Sequence, residues 1–152
     1  MCLYWLLDQE PTIRDKPDAR DLIHVRGDIA FEGVSFSYTS DKSALTDVSL
    51  KVPAGKKAAL VGPSGGGKST ILNLIPRFYD ADTGAIRVDG RDVRDVTTAS
   101  LFHNTALVSQ EITLFDDTVA ANIGYGRANA TREEVETAAR HAAAHDFITE
   151  LP

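Results

Sequence analysis

Residues 60–70 read LVGPSGGGKST, and within them Gly62, Gly67, Lys68 and Ser69 complete the spacing G-x-x-x-x-G-K-[ST]. Four of the chain's 11 glycines fall in this stretch, followed at once by a lysine and two hydroxyls. Side chains would hold an anion off the backbone, whereas glycines let consecutive N–H groups curve around it as a nest. Lys68 then brings a full positive charge suited to β- and γ-phosphates, and Ser69 a hydroxyl suited to Mg²⁺. Pro63, Ser64, Gly65, Gly66 and Thr70 complete the candidate cradle. For this composition a chance match to the pattern has a probability on the order of half a per cent. The chemistry implied is binding of a nucleotide through its phosphates.

Such a loop works only between a strand and a helix. Ala58, Ala59, Leu60 and Val61 form an apolar run without alternation, which predicts a strand buried on both faces of a parallel sheet. After the glycines, Ile71, Leu74, Ile75 and Phe78 recur at helical spacing, and Pro76 should end or kink that helix near Ile75. The helix would point its N-terminus at the anion, adding roughly half a positive charge. Upstream, Val34, Phe36 and Tyr38 alternate with serines, as do Val48, Leu50 and Val52 with Ser49 and Lys51. With the turn-like TSDKSA between them they predict an antiparallel pair with one wet face. Ile86 and Val88, then Asp89-Gly90, then Val93 predict a short hairpin. Ala106, Leu107 and Val108 form a second buried-strand candidate. Thr131 and Glu134 have capping-box spacing ahead of a helix from Arg132 to about Ala144, with Val135, Ala138, Ala139 and Ala142 as its apolar stripe. Residues 8–28 are charged and proline-punctuated and read as a linker or extended lead-in.

Bulk properties agree with a soluble nucleotide-binding domain. The 152 residues suffice for one domain and a real core. A formal charge of −6 argues against a broad nucleic-acid surface. Cys2 is the lone cysteine, which excludes an intramolecular disulfide and fits a reducing compartment. No apolar run approaches the roughly 18 residues of a membrane span. His24, His103, His141 and His145 have no ligand spacing with each other or with Cys2.

Taken together, these stretches resemble the nucleotide-binding domain of an exporter-type ATP-binding cassette (ABC) transporter. The resemblance runs through FEGVSFSY, ALTDVSLKVPAGKKAALVGPSGGGKST, LNLIPRFYDADTGAIRVDGRDVRDV and ALVSQEITLFDDTVAANIGYG. WLLDQEPTIRDKPDA is similar to the linker joining the last transmembrane helix to the cassette. The expected fold is therefore α/β: a P-loop NTPase-like core with a partial parallel sheet, an antiparallel β-subdomain and the start of an α-helical subdomain. Residues 1–28 would be the linker and 29–152 the N-terminal part of the cassette. The resemblance also implies ATP and Mg²⁺ as ligands. It places Tyr38 as the aromatic that stacks on adenine; alone, Tyr38 would read as an ordinary half-exposed strand aromatic. It places Gln110 as the glutamine that contacts Mg²⁺ or the attacking water and links the site to the membrane domain. The implied partners are a transmembrane domain and a second nucleotide-binding domain, at the cytoplasmic side of the inner membrane. One departure is Phe102-His103, where exporters commonly carry an arginine.

No LSGGQ-like string occurs, and no apolar run ending in Asp-Glu follows Gln110. The signature, Walker B and switch-histidine motifs are thus absent, the chain reads as an internal fragment of an exporter, and feeble hydrolysis is expected of it. A second reading is a stand-alone, non-catalytic nucleotide-binding module that regulates or docks onto other cassettes. A different P-loop NTPase fits less well, because an antiparallel segment precedes the loop.

Overall fold

The computed structural model describes residues 11–39, 42–109, 113–127 and 129–151. They fall into two compact units, one reaching to Leu107 and one beginning at Val108.

In the first unit, β1 (Ile29–Thr39) and β2 (Lys42–Val52) are the expected antiparallel pair, in a register that sets Ile29 opposite Val52 and Thr39 opposite Lys42. The strands β3 (Thr83–Val88) and β4 (Arg91–Asp92) form the second hairpin. Asp89 and Gly90 both adopt positive φ there, as a tight Asp-Gly turn requires. The sheet order is β2-β1-β3-β4, with every neighbour antiparallel. Val93, expected to continue the hairpin, instead begins a 3₁₀ turn over Val93–Asp95.

Alternation in β1 buries Phe31, Val34 and Phe36. The odd spacing from Phe31 to Val34 is absorbed by a register shift between them. The strand β3 approaches so closely here that a Cβ on Gly84 would overlap the carbonyls of Glu32 and Gly33. Helix α1 (Lys68–Leu74) stops before Pro76 and presents Ile71 and Leu74 to the same core. Helix α2 (Thr98–His103) adds Leu101 and is capped by the Thr97 hydroxyl.

Two expectations fail. The runs 58–61 and 106–109 join no sheet among the described residues and lie exposed, Val61 at 92% and Val108 at 95%. A parallel strand needs neighbours to take its N–H and C=O groups, and no described strand lies in position to do so. The apolar pattern marked residues that suit a buried sheet, but pattern alone supplies no partner.

The lead-in is more firmly attached than its composition suggests. Leu22 is only 4% exposed and belongs to the core. Arg20 and Val96 form a parallel bridge, Leu22 N–H donates to Ser100 Oγ at 2.9 Å, and Asn104 Nδ2 donates to the Leu22 carbonyl at 3.1 Å. Asp89 accepts the N–H groups of Arg26 and Asp28 at 2.6 and 2.9 Å, with Gly27 at 3.4 Å. Local sequence could not announce this strap, because every partner lies 60 or more positions away.

The second unit holds α3 (Val119–Gly124), α4 (Arg132–His141) and α5 (His145–Thr149). Both bonds of the Thr131/Glu134 capping box are present. The helix ends at His141, three residues short of expectation, with Ala143 at positive φ before α5. Of the expected stripe, Ala139 is buried and Val135 half-buried, while Ala138 and Ala142 remain exposed. Among the described residues, no helix is long and apolar enough to cross a membrane.

Candidate functional site

The loop that precedes α1 is built by its glycines. Gly65 and Gly67 have φ of 78° and 76°, in the left-handed region that other residues avoid. Gly67 is the N-cap of α1 and supplies no side-chain cap, so the first-turn N–H groups of Lys68, Ser69 and Thr70 have no intrahelical partner. Gly67 is also fixed from behind. A Cβ there would stand 2.5 Å from Leu45 Cδ2 and 2.8 Å from the Ala44 carbonyl, so only glycine lets α1 start this close to β2. Pro63 closes the loop by accepting the Gly66 N–H at 3.2 Å. By contrast, a Cβ on Gly62 or Gly65 would meet nothing within 4 Å, leaving their outer side open.

Lys68 folds back over this loop, its ammonium donating to the Gly62 and Pro63 carbonyls at 2.9 and 2.7 Å. Ser69 is exposed beside it, and Thr70 is buried. Glycine geometry, open amides, a lysine at the loop mouth and an exposed hydroxyl together fit a phosphate group with its metal ion. Among the described residues no cluster of three or more His, Cys, Asp or Glu could hold a metal ion.

Tyr38 stands near the end of β1, 49% exposed, with its hydroxyl donating to Thr70 Oγ1 at 3.3 Å. The structure thus joins Tyr38 to the loop helix, 32 residues away. Its ring meets Phe36 edge-on at a centroid separation of 4.9 Å and Tyr79 edge-on at 5.1 Å. Tyr79 was not singled out by sequence; the only hint was an aromatic pair, Phe78-Tyr79, just beyond the helix. Gln110 lies outside the described residues.

Arg77 anchors the turn after α1. Its guanidinium is buried, forks onto Asp80 at 2.8 and 3.2 Å and reaches the Arg14 carbonyl at 3.3 Å. The hydrogen bond to Asp80 raises its pKa against the opposing effect of burial, with the charges of Asp80, Asp15 and Asp92 adding to it. On β4, Asp92 is held by Arg94. Burial pushes its carboxyl up, but the Arg94 side chain and backbone N–H outweigh that and its pKa falls below the usual carboxylate range.

Residues 62–66 of the glycine loop are exposed. An apolar cavity of about 820 Å³ lies instead in the second unit, lined among others by Val119, Ile123, Val135 and Ile148. Phosphate recognition rests on amides and charge rather than on enclosure, so the cavity does not compete with the loop as the phosphate site.

Comparison with known proteins agrees with this geometry. Residues 45–152 match the family model described as ABC transporter. The chain is 51% identical over 150 residues to the ATP-dependent lipid A-core flippase of Desulfotalea psychrophila, covering 99% of this chain and 26% of that protein. It is 49% identical to human ATP-binding cassette sub-family B member 6, covering 99% and 18%. It is 50% identical over 141 residues to the mitochondrial iron-sulfur clusters transporter atm1 of Aspergillus fumigatus, covering 92% and 19%. Among solved structures, a bacterial Atm1-family ABC exporter with ATP bound matches at a TM-score of 0.91 and 44% identity, over 98% of this chain and 26% of that one. The chain therefore spans about a quarter or less of the relatives it matches. With the glycine loop, its helix and the antiparallel sheet in place, the chain belongs to the ABC transporter family.

Proposed function

We propose that this chain binds Mg-ATP on the loop 62–70, as the nucleotide-gripping part of a motor that couples ATP binding and hydrolysis to transmembrane export. The observation that carries this reading is the left-handed glycine loop running into α1 with Lys68 folded over its mouth. The amides of Gly65 and of residues 67–70 would hold the phosphate chain, the Gly66 N–H being turned to the Pro63 carbonyl. Lys68 has three ammonium donors and uses two on the loop carbonyls, which leaves one for a phosphate oxygen. Ser69 would hold the metal ion through its hydroxyl, and the metal would offset charge on the β- and γ-phosphates. Tyr38 would stack on the base, in reach of the loop helix through Thr70. Gln110 would meet the metal or the attacking water and relay occupancy to a transmembrane domain.

In the whole transporter the partners would be that transmembrane domain and a second nucleotide-binding domain, at the cytoplasmic face of the membrane. Residues 1–28 would be the linker that leads in from the membrane, with Arg20, Leu22 and residues 26–28 strapped along the cassette. The relative solved with ATP bound supports the choice of nucleotide. Titration calorimetry of the folded chain tests the reading. Mg-ATP should bind, and Lys68→Ala should weaken it by an order of magnitude or more. A folded chain that ignores Mg-ATP, or a Lys68→Ala variant that binds as well, contradicts it.

A further inference from the structure

We propose that Tyr79 is a positioning residue for the nucleobase, holding the Tyr38 ring at the angle that receives a flat heteroaromatic ring. The proposal rests on the reading of Tyr38 as the base platform. Three rings meet in this corner, and their centroid separations are 4.9 Å for Phe36–Tyr38, 5.1 Å for Tyr38–Tyr79 and 5.4 Å for Phe36–Tyr79. Sides so nearly equal make an almost equilateral triangle. Phe36 and Tyr79 therefore lie on one side of the Tyr38 centroid, and Tyr38 keeps 49% exposure. Both contacts are perpendicular, at 85° and 88°, the arrangement that edge and face quadrupoles favour.

The far end of the Tyr38 side chain is also held, since its hydroxyl donates to buried Thr70 on α1. Phe36 is buried and performs core duty whatever binds nearby. Tyr79 differs: it is 41% exposed, so packing alone explains less of its presence. Its backbone is nevertheless fixed. Arg77 forks onto Asp80 across it, the Phe78 N–H bonds the Asn73 carbonyl at 3.1 Å, and the Asp82 N–H bonds the Ser35 carbonyl on β1 at 2.9 Å. A ring on a fixed backbone, edge-on to a platform pinned at its tip, restricts the platform's rotation. A base then meets a surface already set, with less side-chain ordering to be done on binding.

The test compares Mg-ATP with inorganic tripolyphosphate and Mg²⁺, which engages the loop but offers no base. Calorimetry on the chain, with melting curves to check folding, should give a clear preference for ATP. Tyr79→Leu should lower ATP affinity roughly three- to tenfold and leave tripolyphosphate affinity unchanged. Tyr79→Phe keeps the ring and should stay within about twofold of the original chain. In a Tyr38→Ala background, Tyr79→Leu should have no further effect, because it acts through that ring. A Tyr79→Leu variant that keeps the full ATP preference, loses both ligands equally, or adds its full effect to Tyr38→Ala overturns the proposal. If the original chain binds ATP and tripolyphosphate alike, the platform itself is wrong and the proposal falls with it. Binding of neither ligand refutes the nucleotide reading at its root.

Discussion

Gly67 does two jobs at one position, and each forbids a side chain. Its φ of 76° suits glycine alone at low cost, and a Cβ would collide with Leu45 and Ala44 of β2. Gly67→Ala should therefore cost about 1–3 kcal/mol from backbone strain, with the overlap adding to it, read as a lower urea midpoint. An unchanged midpoint would mean that α1 does not start against β2 as described. Tyr38 tests the other half of the site. Tyr38→Ala should cost about 1–3 kcal/mol of Mg-ATP affinity and leave tripolyphosphate binding in place. The lysine, the hydroxyl and the glycines were all legible in sequence because a short motif carries its own geometry. Tyr79 was not, since its value lies in meeting a ring 41 positions earlier that no local pattern reports.

The two hairpins and α1 were readable from alternation, the Asp-Gly turn and Pro76, and each element formed where those signals stood. The strands expected at 58–61 and 106–109 did not form, because a strand is a relation between segments and the signal describes only one of them. The strap was missed for the same reason. Its hold depends on Asp89, whose carboxyl is pushed up by partial burial but drawn down further by the N–H groups of Asp28, Arg26 and Gly27, so that its pKa lies below the ordinary 3.8. Asp92 is lowered in the same sense. A carboxyl with a depressed folded pKa contributes stability that is fully present above its unfolded value and is lost as pH falls through the folded one. Stability of the first unit should thus be flat near neutrality and decline below about pH 4. Asp89→Asn should lower stability at pH 7 by about 1 kcal/mol, reduce the stability lost between pH 7 and about pH 2, and speed hydrogen exchange at residues 26–28. Equal acid sensitivity in variant and original would remove Asp89 from this role.

Across the whole chain, the exposed apolar runs bear on behaviour in solution as much as on fold. Val61 and Val108 stand almost fully in water on segments that carry no sheet pairing among the described residues. Such segments favour pairing with another chain. The isolated chain should self-associate with rising concentration in light scattering, and Val61→Lys with Val108→Lys should reduce that association without weakening Mg-ATP binding. A monodisperse monomer at high concentration would contradict this. The export reading needs the rest of a molecule about four or more times longer, but nucleotide capture does not, because Tyr38, Thr70 and the whole glycine loop reside in one compact unit. The most direct measurement is calorimetric titration of Mg-ATP into the folded 152-residue chain and into its Lys68→Ala variant. Saturable binding by the first, weakened tenfold or more in the second at unchanged melting temperature, is the expected result. Equal affinity in the two, or no heat of binding from a folded chain, would show that loop 62–70 does not hold a nucleotide.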